Sequence, residues 1–162
     1  MILILLNLSR SFLKSETMLI NLKSEAAKAE PQNVKIELQE RLPAYIAAPC
    51  VLDCQFKVIA EKNYYLITMD VDSVVSVICQ RCLGEFSHHY INQTTLAVCD
   101  SDEMAEKLME LYECVVSNNG QLELEELLTD ELHLYVPESH LDIENCDQEI
   151  NRFIQVDNII KS

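Results

Sequence analysis

Three long stretches of alternating residues follow one another with only short turns between them, and this pattern constrains the fold more than any other feature of the chain. Residues 51–60 (VLDCQFKVIA) place Leu52, Cys54, Phe56 and Val58 at period two, the spacing that puts every second side chain on one face of a strand. Residues 64–79 (YYLITMDVDSVVSVIC) are rich in β-branched and aromatic side chains, and 86–99 make a third strand region. Only Lys62-Asn63 and residues 80–84 turn the chain between them. Strands joined by so few residues run antiparallel, because a parallel return needs a crossover of a dozen residues or more. A meander of long antiparallel strands is predicted.

The flanking segments read differently. Residues 23–30 (KSEAAKAE) are good helix formers closed by Pro31, 34–38 alternates like a short strand, and Pro43 and Pro49 bracket a loop. After the meander the period changes. Met104, Leu108, Leu111 and Tyr112 share one helical face, with Asp100 as N-cap and Asp102 and Glu103 in the first turn, where the helix dipole favours acids. Residues 114–116 suit a strand and Asn118-Asn119-Gly120 a turn. Leu124, Leu127, Leu128, Leu132 and Tyr135 define a second amphipathic helix that ends at Pro137. The expected fold is α+β, a single domain over residues 23–137: an antiparallel β-meander with two amphipathic helices C-terminal to it. An extension (1–22, with Met18 as an alternative start) precedes it, and an acidic, loosely structured tail (138–162) follows.

Charge narrows the partners. The chain carries 27 acids and 12 Lys and Arg, a net charge of −15. Residues 100–150 hold 16 of those acids against Lys107 alone, so the whole excess lies in the helical half and the rest is neutral. Affinity for phosphate comes mostly from clustered Lys and Arg, which disfavours the usual kind of nucleic-acid binder. An anionic membrane surface is disfavoured on the same ground, whereas basic partners stay open. The apolar start (MILILLNLSRSFLK) has its bases after rather than before a short apolar run. An export signal wants the reverse, and a membrane span needs roughly 20 apolar residues. Seven scattered cysteines, an odd number, suit a reducing compartment. A cytoplasmic protein is expected.

The sharpest local motif is Cys79-Gln80-Arg81-Cys82, at the turn between two strands. Two thiols separated by two residues can chelate one metal, and structural zinc completes its set with two further ligands. His140 and Cys146 are the candidates, with His88 and His89 as weaker options; the alternative is a pair of ordinary thiols in a hairpin. A thioredoxin-like redox pair would need its first Cys at a helix N-terminus, and Leu83-Gly84 leads into a strand instead. His88 and His89, adjacent on a strand, point to opposite faces, and His133 falls among acids on a helix surface. No nucleophile elbow, P-loop, dinucleotide fingerprint or metalloprotease helix is present. No catalytic residue and no small-molecule substrate are expected, and the acids at 123, 125, 126, 130 and 131 read as a solvated helix face.

Val77-Ile78-Cys79-Gln80-Arg81-Cys82-Leu83, then Phe86 and His88, resembles the CxRC segment of the YceD family, the large ribosomal RNA subunit accumulation proteins. The resemblance runs on through Ser101-Asp102-Glu103, Ala105-Glu106, Leu108 and Tyr112-Glu113, then Gly120, Leu124, Leu127, Asp130-Glu131 and Leu134, to Pro137, His140 and Cys146. The second proline usual before the family's distal ligand is missing here, and only Cys146 remains of a fuller set of thiols. The resemblance implies a bacterial, non-catalytic factor supporting 23S ribosomal RNA synthesis, processing or accumulation, and hence large-subunit biogenesis. It also makes Cys79, Cys82, His140 and Cys146 the group to consider for zinc. With the charge, it points to a basic ribosomal or RNA-processing protein as partner, held by the acidic helical face. The alternative is a structural zinc-binding module or one that contacts RNA directly through Lys57, Lys62 and Arg81.

Overall fold

The computed structural model describes residues 18–147 and residue 149. β1 (Leu19–Asn21) leads into α1 (Leu22–Ala26), and β2 (Gln32–Leu38), β3 (Cys50–Ala60), β4 (Tyr65–Ile78) and β5 (Glu85–Cys99) follow. Then come α2 (Asp102–Leu108), β6 (Glu113–Val116), β7 (Gln121–Glu123) and α3 (Leu124–Tyr135), with a single 3-10 turn at Ile143–Asn145. β2 to β6 form one open five-stranded sheet in chain order, and β1 pairs with β7 in a separate two-stranded clip. The fold is α+β, as the alternation and the later change of period require. No helix among the described residues is long and apolar enough to cross a membrane.

The period-two pattern decides which face is covered. Leu52, Cys54, Phe56 and Val58 of β3 and Ile67, Met69, Val71, Val75 and Val77 of β4 are buried, while their neighbours in sequence face out. Register keeps these rows together, with Cys54 opposite Val71 and Phe56 opposite Met69. One apolar cluster joins them to Leu124, Leu127, Leu128 and Leu132 of α3 and to Ile20 and Leu22 at the start of the fold. Each such side chain contributes about 1.5–3 kcal/mol when fully buried. Glu131, expected on a solvated helix face, is instead buried in this interface, because its carboxylate accepts from Asn92 Nδ2 and Thr94 Oγ1, both at 2.7 Å.

β3 and β4 part where Ser73 intervenes, its buried Oγ accepting from the Asp53 N–H at 2.7 Å. Beyond that point residues 45–47 take the place of β3 beside β4. Ala47 N donates to the Ser76 carbonyl, Ile78 N to that of Tyr45, and Ile46 bridges Val77. The distal half of β4 therefore stays paired on both edges up to the turn that carries Cys79.

The structure departs from the sequence reading in several places. β6 pairs with β5 in parallel, Leu96 opposite Glu113, after a crossover through α2, so the sheet is mostly rather than wholly antiparallel. Ser101, not Asp100, caps α2 by accepting from Met104 N at 3.3 Å. α2 ends at Leu108 and buries none of its residues, which leaves Leu111 exposed. Tyr135, assigned to the apolar face of α3, is exposed as well. Residues 18–22, set apart with the extension, are part of the packed fold through Ile20, Leu22 and the pairing of β1 with β7; the possible alternative start before them lies outside the described residues. Of the acidic tail, residues 138–146 return to the β4–β5 turn, and 150–162 lie outside the described residues.

Candidate metal centre

The β4–β5 turn is built to present two sulfurs. Leu83 N donates to the Cys79 carbonyl at 2.8 Å and Cys79 N to that of Gly84 at 2.9 Å, which closes residues 79–84 into a tight loop. Leu83 takes a left-handed φ of 60°, a conformation glycine adopts at little cost. Gly84 lies against the thiol of Cys82: a Cβ there would stand 3.4 Å from its sulfur, at ordinary contact distance.

The segment after α3 is laid over this loop. Gln80 N donates to the Glu138 carbonyl at 2.9 Å, and the Arg81 guanidinium donates to the carbonyl of His140. The His140 ring stacks on Phe86 of β5, centroids 4.3 Å apart and planes at 27°, which fixes the direction of Nδ1. The 3-10 turn at Ile143–Asn145 then brings Cys146 underneath.

The outcome is a cluster of three sulfurs and one imidazole nitrogen within 4.8 Å of one another. Cys79 Sγ lies 3.8 Å from Cys146 Sγ, while His140 Nδ1 lies 3.6 Å from Cys82 Sγ and 3.5 Å from Cys146 Sγ. A tetrahedral zinc with bonds near 2.3 Å to sulfur and 2.0–2.1 Å to nitrogen needs about 3.8 Å between sulfurs and about 3.6 Å from sulfur to nitrogen. The donor set fits. Cys79 and Cys146 are buried and Cys82 is half-buried, as befits ligands screened from solvent.

Local electrostatics divide the thiols. Burial raises that of Cys79, but the N–H groups of Cys82, His140 and Arg81 and the His140 side chain outweigh it and bring the thiol down to about 4. Among these, His140 N stands 3.4 Å from the sulfur. Cys146 goes the other way: burial, with the sulfurs of Cys79 and Cys82 beside it, pushes it up to about 11. The loop is thus prepared for a thiolate at Cys79, and a bound cation would favour the same state at its neighbours.

Cys79, Cys82, His140 and Cys146 come together as named from the sequence, and the weaker options do not join them. His88 is partly buried on the covered side of β5, where burial and then His89 lower its pKa. His89 points outward to Asp72, Nε2 to Oδ1 at 2.5 Å. His133 is exposed and bonds the Arg41 carbonyl at 2.9 Å. Lys57 and Lys62 are exposed on the sheet and the β3–β4 turn, whereas Arg81 is engaged with His140. Sequence reasoning missed the supporting roles of Arg81, Phe86 and Glu138. The first two lie within four residues of Cys82, which is the signal available for finding them.

Fold and cluster together define an α+β protein with a four-ligand site that can hold a metal such as zinc. Comparison with family models, with curated proteins and with solved structures returned no match to the chain.

Proposed function

We propose that the chain is a zinc-bound, non-catalytic factor that supports 23S ribosomal RNA synthesis, processing or accumulation, and with it large-subunit biogenesis, through contacts with protein partners. The observation that carries this reading is the convergence of Cys79, Cys82, His140 and Cys146, the same four residues singled out by the resemblance to the YceD family. Zinc held by four protein ligands is a structural ion, with no coordination position left for substrate. Its role here is to clamp residues 138–146 onto the β4–β5 turn and so fix the shape of that end of the molecule. The net charge of −15 favours a basic ribosomal or RNA-processing protein over bare RNA as the direct contact.

The test pairs a chemical with a cellular measurement. Purified protein carries stoichiometric zinc by elemental analysis, and Cys82→Ser abolishes it. Depletion in cells lowers 23S RNA, the wild-type gene restores it, and the Cys82→Ser gene does not. Zinc-free protein, or unchanged 23S RNA on depletion, removes the corresponding half of the reading. A gel shift with 23S fragments at moderate salt would move the assignment to direct RNA binding.

A further inference from the structure

Away from the metal centre, the exposed face of the sheet carries a trough of about 580 Å³ that crosses β2, β3, β4 and β5. Its walls are two adjacent rows of side chains, and the backbone at Cys54 and Val71 lies between them. Register fixes the first row: Asn33 opposite Gln55, Gln55 opposite Asp70, Asp70 opposite Gln93. Lys35, Asp53, Asp72 and Ile91 line the other side.

The charges in the trough are unequally satisfied. Lys35 Nζ lies 3.5 Å from Asp53, and His89 Nε2 lies 2.5 Å from Asp72. Asp70 forms no ion pair among the described residues. It is flanked on both sides by glutamine amides, which carry an acceptor oxygen beside an NH2 donor and can turn the oxygen toward a cationic donor. With neighbouring strands about 4.8 Å apart, Gln55, Asp70 and Gln93 make a row of acceptors about 10 Å long. A guanidinium, with five donors in one plane and a preference for carboxylate partners, matches such a row better than the single ammonium of lysine. At one end the chemistry turns apolar: Val74 and Ile91, diagonal neighbours on β4 and β5, are each 66% exposed.

We infer that this trough docks an arginine-bearing segment of a basic protein, with one arginine along the Gln55–Asp70–Gln93 row and an apolar side chain of the segment over Val74 and Ile91. The inference rests on the reading above that the chain works through a basic partner, and it moves that partner from the helical half to the sheet. The acids of α3 make a poorer receptor. Glu125, Glu126 and Asp130 stand on a convex helix surface, and Glu126 already has Arg41 at 3.8 Å.

The experiment is an NMR titration of the ¹⁵N-labelled, zinc-loaded full chain at about 0.15 M salt, where long-range attraction is screened. The probe is a short peptide containing two arginines and a valine, with matched lysine and glutamine versions. Shifts centred on Gln55, Asp70 and Gln93 are expected, with the arginine version tightest. Asp70→Asn is expected to weaken it by about five- to tenfold, the size of one charge-assisted hydrogen bond. Asp130→Asn, as a control on α3, is expected to leave it unchanged. Both positions are exposed enough for the variants to keep the fold, which their zinc content and amide spectra verify. Shifts centred on α3, equal binding by Asp70→Asn, or no shifts at all overturn the inference. If the trough fails while the chain still co-purifies with large-subunit proteins, only this surface is wrong. If the peptide binds as expected and depletion leaves 23S RNA unchanged, the surface stands and the cellular reading falls.

Discussion

β4 and β5 pair along the whole of Tyr65–Ile78 and bury a row of apolar side chains under α3, whereas residues 138–146 are held to the turn between them by far less. That segment has one backbone hydrogen bond to the turn, the Arg81 contact, a ring stacked on Phe86 and two of the four potential metal ligands. Cys146 is its buried hydrophobic member. The two regions touch, yet their order has different sources. The sheet is stabilised by area removed from water, and the segment above it by a few directional contacts that a metal would multiply. The candidate metal site is thus built onto the end of the sheet and is no part of its apolar core cluster.

Core truncation should produce the largest effect and spare neither region. Phe56→Ala is expected to cost about 3–5 kcal/mol, read as a shifted midpoint in urea unfolding, and to take the metal site with it. Loss of one ligand should separate them. Cys82→Ser is expected to weaken zinc binding by more than about a hundredfold and to expose the amides of 138–146 to hydrogen exchange while those of β3 to β5 stay protected. Deprotection spreading into β4 would break the distinction. The pH dependence sharpens it further. In the metal-free protein the Cys146 thiol, pushed up to about 11, is protonated at neutral pH, and binding zinc must expel that proton. Zinc affinity therefore rises with pH, by about tenfold per unit for each proton released, and falls on acidification. Competition with a chromogenic chelator measures the slope; a flat profile would show that Cys146 is not a ligand. The smallest effect should come from α2, which buries nothing. Ser101→Ala removes its N-cap and is expected to cost about 1 kcal/mol, with zinc content unchanged.

The long strands were legible because alternation over ten or more residues has one structural meaning when one side must be buried; β3 and β4 obey it nearly to the residue, whereas β5 ends in four consecutive buried residues, Leu96 to Cys99. β6 was legible as a strand but not as a parallel one: Cys114, Val115 and Val116 are apolar without alternation, and nothing in four residues selects a partner. The end of α2 was misplaced because Leu111 and Tyr112 keep the helical spacing, yet Leu111 has no surface to pack on and Tyr112 lies against Tyr64 from outside the helix. Ser101 displaced Asp100 as the cap, a choice between two good capping residues that only backbone position decides. In the metal centre, Cys79 and Cys82 could be read from spacing alone. His140 and Cys146 lie 58 to 67 positions away, where no periodicity reaches; they stood as candidates because they follow the second helix, and the ordered resemblance joined them to the pair. The trough escaped notice because Asn33, Gln55, Asp70 and Gln93 are ordinary outward residues in sequence, and only the strand register lines them up.

The clip between β1 and β7 has a consequence for synthesis. Leu19 pairs with Glu123, so Ile20 and Leu22 emerge from the ribosome long before the residues that enclose them. The metal ligands are divided in the same way, two in the β4–β5 turn and two beyond α3. The meander joins neighbours in sequence and can form as it emerges, whereas the clip and the centre wait for the C-terminal part of the chain. A chain stalled before residue 121 would lack the partner strand of β1 and half of the ligand set. Both of these long-range contacts close only once the C-terminal part of the chain is present.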